Sequence, residues 1–96
     1  MGKQEIIEII RSNKLELESR YGVQRLGLFG SYVREKQRKK SDIDILVKFT
    51  RDIDLFDFID LREYLENQLN SKVDLVMESA LKPKLGKRIL AEVEYV

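Results

Sequence analysis

The chain contains no cysteine, no histidine, no tryptophan and a single proline, Pro83. Without cysteine there are no disulfides, no thiolate zinc site and no thiol nucleophile. Without histidine the commonest general base at neutral pH is missing, and with it the Ser-His-Asp triad and imidazole metal ligation. Any chemistry here must rest on carboxylates and bound cations. Long apolar runs are missing too. The opening MGKQEIIEII has no signal-peptide core, and no segment approaches the roughly 18 apolar residues of a membrane span. The expectation is a cytoplasmic protein. A net charge bias is also absent, since 18 Lys and Arg stand against 17 Asp and Glu. Charge alone does not mark a nucleic-acid binder, so any electrostatic message lies in where the charges sit.

What is present is 96 residues, 43% of them apolar and 36% charged. That is one globular domain, spanning 1–96, with a modest core and a strongly ionic surface. Ile6, Ile9, Ile10 and Leu17 recur near helical spacing, which predicts a helix over 5–20 that stops at Arg20-Tyr21-Gly22. The stretch VQRLGLF at 23–29 reads as a strand. Residues 32–37 read as a short helix with Ser31 as N-cap, and Arg38-Lys39-Lys40-Ser41 as a polar turn. IDILVKF at 43–49 alternates and is rich in branched residues, the pattern of a second strand. From Asp54, a plausible N-cap, the period changes to that of a helix, with Leu55, Phe58, Ile59, Leu65 and Leu69 on one stripe. Asn70-Ser71 is a turn, VDLVM at 73–77 a third strand, and 84–95 a last helix weakened by Gly86. This alternation predicts an α/β (α+β) layer with helices packed on a small sheet.

The chemistry is concentrated in LFGSYVREKQRKKSDIDILV, where Gly30-Ser31 is followed after ten residues by Asp42-Ile43-Asp44. On a strand, Asp42 and Asp44 point to one face, about 7 Å apart, while Ile43 and Ile45 point to the other. Two such carboxylates repel unless a cation lies between them, and oxygen-only ligands suit Mg²⁺ or Mn²⁺. Asp74 sits inside the apolar strand VDLV, where an unpaired acid is costly. If that strand neighbours the first, three acids converge and can hold two divalent ions bridging a phosphate. Gly30 lets backbone approach a phosphate, Ser31 offers N–H groups and a hydroxyl, and Arg34 can reach the same anion or pair with a carboxylate. A nucleoside triphosphate is the substrate that such a set fits. Asp52-Ile53-Asp54 repeats the Asp-x-Asp pattern, but no Gly-Ser precedes it at that distance, so it reads as a turn and helix cap.

The string G-S-x10-D-x-D resembles the minimal nucleotidyltransferases of the polymerase-β-like superfamily. The resemblance extends through DLFDFIDLREYLENQL, KVDLV and LKPKLGKRILAEVEYV, nearly the whole chain. It implies a small mixed β-sheet flanked by helices, two Mg²⁺ ions and transfer of a nucleotidyl group from an NTP, commonly ATP. On this resemblance Asp42, Asp44 and Asp74 are the metal ligands, and Gly30 and Ser31 form the triphosphate loop. The family often has glycine after the arginine; this chain has Glu35, a departure that bears on the loop's shape. The resemblance also implies a partner, since such proteins are commonly antitoxins of HEPN-domain RNase toxins and silence them by attaching AMP to tyrosine. One domain alone has no second module to present an acceptor, so a docked partner delivering a hydroxyl is consistent with the size of the chain.

Two basic clusters stand out. Arg34, Lys36, Arg38, Lys39 and Lys40 flank the presumed site and could attract ATP or an acidic partner, or form a solvated turn. Lys82, Lys84, Lys87 and Arg88 surround Pro83 and read as an exposed helix face, or alternatively as a contact for RNA or the toxin. Phe56, Phe58, Tyr64 and nearby leucines are core or interface positions, any exposed part being a candidate partner contact. Two other functions remain open: an antitoxin that binds by occlusion with a vestigial site, and a small-molecule nucleotidyltransferase.

Overall fold

In chain order the elements of the computed structural model, which describes residues 1–38 and 41–96, are α1 (Lys3–Ser12), α2 (Lys14–Tyr21), β1 (Val23–Phe29), β2 (Ile43–Phe49), α3 (Leu55–Leu69), β3 (Val73–Met77), α4 (Pro83–Glu92) and β4 (Glu94–Tyr95). The strands form one mixed sheet in the order β3-β2-β1-β4. β1 runs antiparallel to β2 and β4, whereas β2 and β3 are parallel with Asp44 opposite Asp74. The expected α/β layer with a small mixed sheet is what forms.

Alternation along the strands divides the sheet into two faces. Ile43, Ile45 and Val47 of β2, with Leu26 and Leu28 of β1 and Val73 and Leu75 of β3, bury against Ile6, Ile7 and Ile10 of α1, Leu17 of α2, and Leu61, Leu65 and Leu69 of α3. The opposite face carries a smaller core in which Phe29 and Leu46 meet Ile89 of α4, with Val76, Leu81 and Val93 around them. Asp44 lies between Ile43 and Ile45 in the sequence and therefore shares the α4 face with Leu46. Among the described residues three helices cover one face and only α4 covers the other. That asymmetry leaves room for a site beside α4.

Several expectations change in detail. The single helix over 5–20 is two helices, because Asn13 leaves helical geometry (φ −106°, ψ 9°). Its side-chain amide donates to the Ile9 carbonyl (2.8 Å) and its amide oxygen accepts from the Tyr64 hydroxyl (2.6 Å), so a local break is fixed by a tertiary contact. The helix expected over 32–37 is only a 3₁₀ turn, Gly30–Tyr32, capped by Phe29 with no side-chain bond, so Ser31 is not an N-cap. Asp54 does cap α3, accepting from the Asp57 N–H at 2.8 Å. The buried stripe of α3 is Leu61, Leu65 and Leu69, whereas Leu55 is exposed. The last helix ends at Glu92, and the tail returns as β4 against Gly27 and Leu28 of β1. Gly86 sits inside α4 because a Cβ there would press on the Leu81 side chain at 3.2 Å. Lys39 and Lys40, and with them part of the expected polar turn and of the first basic cluster, lie outside the described residues.

Candidate active site

β1 ends at Phe29, and the chain turns away through Gly30 in the left-handed region (φ +76°). A Cβ at Gly30 would overlap the Asp44 carboxylate, so glycine is required twice, by backbone conformation and by the approach of an acid. The turn then closes in a Schellman arrangement. The Glu35 N–H donates to the Tyr32 carbonyl (3.3 Å) and the Lys36 N–H to the Ser31 carbonyl (2.8 Å). Such a closure places its penultimate residue in the left-handed region, and Glu35 has φ +56°. The position where the family often has glycine keeps a glycine-like conformation here with a glutamate in it.

Parallel pairing of β2 and β3 sets Asp44 beside Asp74 on the α4 face, and Asp42 precedes Asp44 by two residues. Asp44 is half-buried, whereas Asp42 and Asp74 are exposed. The Asp44 carboxyl is pushed up to about 6. Burial is the largest cause; Asp74 follows through its negative charge and a hydrogen bond with the protonated acid, then the charge of Asp42, while Arg34 opposes the shift. Among the described residues no three acidic side chains stand close enough to form a ready-made metal cage. The acids that meet are the pair Asp44 and Asp74, with Asp42 near enough to act on Asp44 through its charge. Clustered carboxylates that form no salt bridge among the described residues are a donor set that fits a hard divalent cation whose remaining positions are filled by phosphate oxygens and water.

Asp44 and Asp74, but not Asp42, line a cleft of about 540 Å³ bounded by Phe29, Gly30 and Arg34 on the sheet side, and by Leu81, Lys82, Leu85, Arg88, Ile89 and Glu92 around α4. Arg34 spans its mouth: its Nη1 donates to both carboxylate oxygens of Glu92, at 3.0 and 3.2 Å. Gly30, Arg34, Asp44 and Asp74 are thus brought into one cleft, while Ser31 lies in the adjoining turn. Sequence reasoning read Lys82 and Arg88 as an exposed helix face or a contact for RNA or the toxin, not as cleft residues, and passed over Glu92. The basic cluster around Pro83 was the available signal, but the chain's return to the site side of the sheet was not visible from it. In the Asp52-Ile53-Asp54 repeat, Asp54 is the helix cap, as expected, and Asp52-Ile53 is irregular chain leading into it.

A larger opening, about 840 Å³, lies at the other ends of β2 and β3, around Phe49, Arg51, Met77 and Glu78. It holds Asp52 but none of Asp42, Asp44 and Asp74. Among the described residues no helix is long and apolar enough to cross a membrane.

Comparison with known proteins agrees with this geometry. The "Polymerase beta, Nucleotidyltransferase" family matches residues 4–96. The protein adenylyltransferase MntA of Thermococcus cleftensis is 50% identical over 93 residues, which cover 97% of this chain and 94% of that one. A solved structure assigned as a minimal nucleotidyltransferase superposes with a TM-score of 0.81 at 36% identity, over 98% of this chain and 95% of its own. A complex of the tri-AMPylated HEPN toxin of Shewanella oneidensis with its MNT antitoxin matches with a TM-score of 0.61 at 27% identity, over 96% of this chain and 66% of the matched one. The Gly-Ser turn, the paired acids and the match over nearly the full chain place this protein in the polymerase-beta nucleotidyltransferase family, as one of its minimal, MntA-like members.

Proposed function

We propose that the chain is an antitoxin that transfers AMP from ATP to a tyrosine of a partner HEPN-domain RNase toxin and so neutralises it. The observation that carries this reading is the in-register pair Asp44 and Asp74, held beside the Gly30 turn in an open cleft. Asp42, Asp44 and Asp74 would hold two Mg²⁺ ions, with Mn²⁺ as a substitute. Bound there, the ions supply charge neutralisation for the triphosphate and polarisation of the acceptor oxygen.

The protein's own groups do the rest. The Gly30-Ser31 turn brings backbone against the triphosphate without a side chain in the way. Arg34 offers guanidinium donors to the same anion. The tyrosine oxygen bonds to the α-phosphorus, the bond from that phosphorus to the β-phosphate bridging oxygen breaks, and pyrophosphate leaves. The hydroxyl proton passes to a carboxylate of the cleft or to water, so no histidine is needed. Asp74 lies on β3, an edge strand, and is exposed, which leaves the acceptor side open to a docked protein. Leu55 and Phe56 at the start of α3 are 67% and 77% exposed and offer that partner an apolar contact.

An AMP group on the toxin then blocks RNA by charge and bulk. Incubation with the cognate toxin, Mg²⁺ and α-labelled ATP tests the reading: label should move to the toxin with this chain and not with an Asp42→Asn, Asp44→Asn double variant. Label transfer by the double variant at the wild-type rate would place the chemistry elsewhere. A toxin inhibited in a stoichiometric complex without label would favour occlusion.

A further inference from the structure

We infer that Glu92 is a positioning residue for nucleotide binding: it holds the Arg34 guanidinium at the mouth of the cleft in the orientation that meets the triphosphate. The inference rests on the nucleotidyltransferase reading above and adds to it a residue from the far end of the chain. Arg34 lies in the turn after β1 and Glu92 at the last position of α4, 58 residues later, yet both line the cleft that holds Asp44 and Asp74.

The contact is economical in donors. Both Glu92 oxygens accept from the single nitrogen Nη1, at 3.0 and 3.2 Å, and Arg34 makes no other side-chain bond among the described residues. Nη2 and Nε therefore carry no protein acceptor among the described residues and are available to an anion. Half of the Arg34 side chain is solvent-exposed, whereas that of Glu92 is only 24% exposed. The glutamate is the anchored partner and the arginine the one that would otherwise sample many rotamers. Fixing it beforehand removes part of the entropy lost when the triphosphate binds. The backbone of Arg34 is fixed as well, by its N–H bond to the Gly30 carbonyl (3.1 Å) and by the closure at Glu35 and Lys36.

Charge and positioning predict opposite signs, which makes the inference testable. Glu92 adds a negative charge to a cleft that must receive a polyanion. If charge were its only effect, removing it would tighten ATP binding. If positioning governs, Glu92→Ala weakens binding of MgATP about threefold to tenfold, while Glu92→Gln, which keeps an acceptor for Nη1, falls between Ala and wild type.

Titration calorimetry of MgATP on the full chain reads this directly. The double-mutant cycle supplies the decisive arm, because Glu92→Ala made on an Arg34→Ala background should change Kd by less than about twofold. A merely structural Glu92 would weaken binding equally on both backgrounds and would overturn the inference. Equal or tighter binding by Glu92→Ala on the wild-type background would overturn it too. In either case wild-type MgATP binding would leave the nucleotidyltransferase reading standing; a wild-type chain that binds no MgATP would overturn both.

Discussion

Removing the Asp44 carboxylate should stabilise the protein in the absence of metal while destroying its activity. In the folded chain this acid is raised from 3.8 to about 6 by burial and by Asp74 and Asp42. Between those two values the folded state binds the proton that the unfolded state has released, so stability falls as pH rises through that window. Above it, the folded protein carries the full cost of a charged acid held beside two others. A shift of this size corresponds to roughly 3 kcal/mol before screening. Asp44 is half-exposed, and solvent screening reduces the effect to about 1 kcal/mol. For a domain of this length that is a rise in Tm of roughly 4–8 °C for Asp44→Asn at pH 7 in EDTA. The gap between variant and wild type should shrink as pH falls from about 6 towards 4, as Asp44 becomes protonated in the folded state. Thermal melts followed by circular dichroism between pH 4 and 7 measure it. MgATP should then stabilise the wild type and not the variant. An Asp44→Asn protein melting at or below the wild-type temperature at pH 7 in EDTA would refute the reasoning.

Further predictions concern the turn, the core and the surface. Glu35→Gly should raise stability by about 0.5–1 kcal/mol in chemical denaturation, since relief of left-handed strain at φ +56° outweighs the added freedom of the unfolded chain. Gly30→Ala should lower both Tm and MgATP affinity, because its Cβ would overlap Asp44 and its backbone sits at φ +76°; a variant with wild-type affinity would contradict the packing. Leu61→Ala, at a fully buried position, should cost about 2–5 kcal/mol in chemical denaturation, a large share of the stability of a domain of this size. Phe56→Ser should change stability by less than about 0.5 kcal/mol yet weaken the complex with the partner toxin in a pull-down or calorimetric titration.

How much of this was legible in the sequence depends on the range of the interactions involved. The three strands of five to seven residues follow from alternation, because a residue's face on a strand is set by its parity alone. The Asp54 cap and the Asp42-x-Asp44 pair are equally local. Asp74 needed one more fact, the parallel pairing of β2 and β3, and the apolar neighbours of the acid pointed to it. What sequence reasoning missed was decided at a distance. Asn13 breaks the first helix while holding Tyr64, 51 residues away. β4 is two residues long and exists because β1 offers an edge to pair with. Glu92 reads as a surface charge until α4 folds back over the Gly30 turn. At Glu35 the departure from the family's glycine was visible, but its consequence was not, since only the backbone shows that glutamate accepts the left-handed conformation.

The central claim, that this cleft transfers AMP to a partner protein, is tested most directly by intact-mass and peptide mass spectrometry of the cognate HEPN toxin after incubation with this chain, ATP and Mg²⁺. The account predicts a toxin heavier by one or more AMP groups, with the modification mapped to tyrosine and absent when Asp42 and Asp44 are replaced by asparagine. A toxin of unchanged mass, inhibited only while the two proteins remain bound, would contradict it.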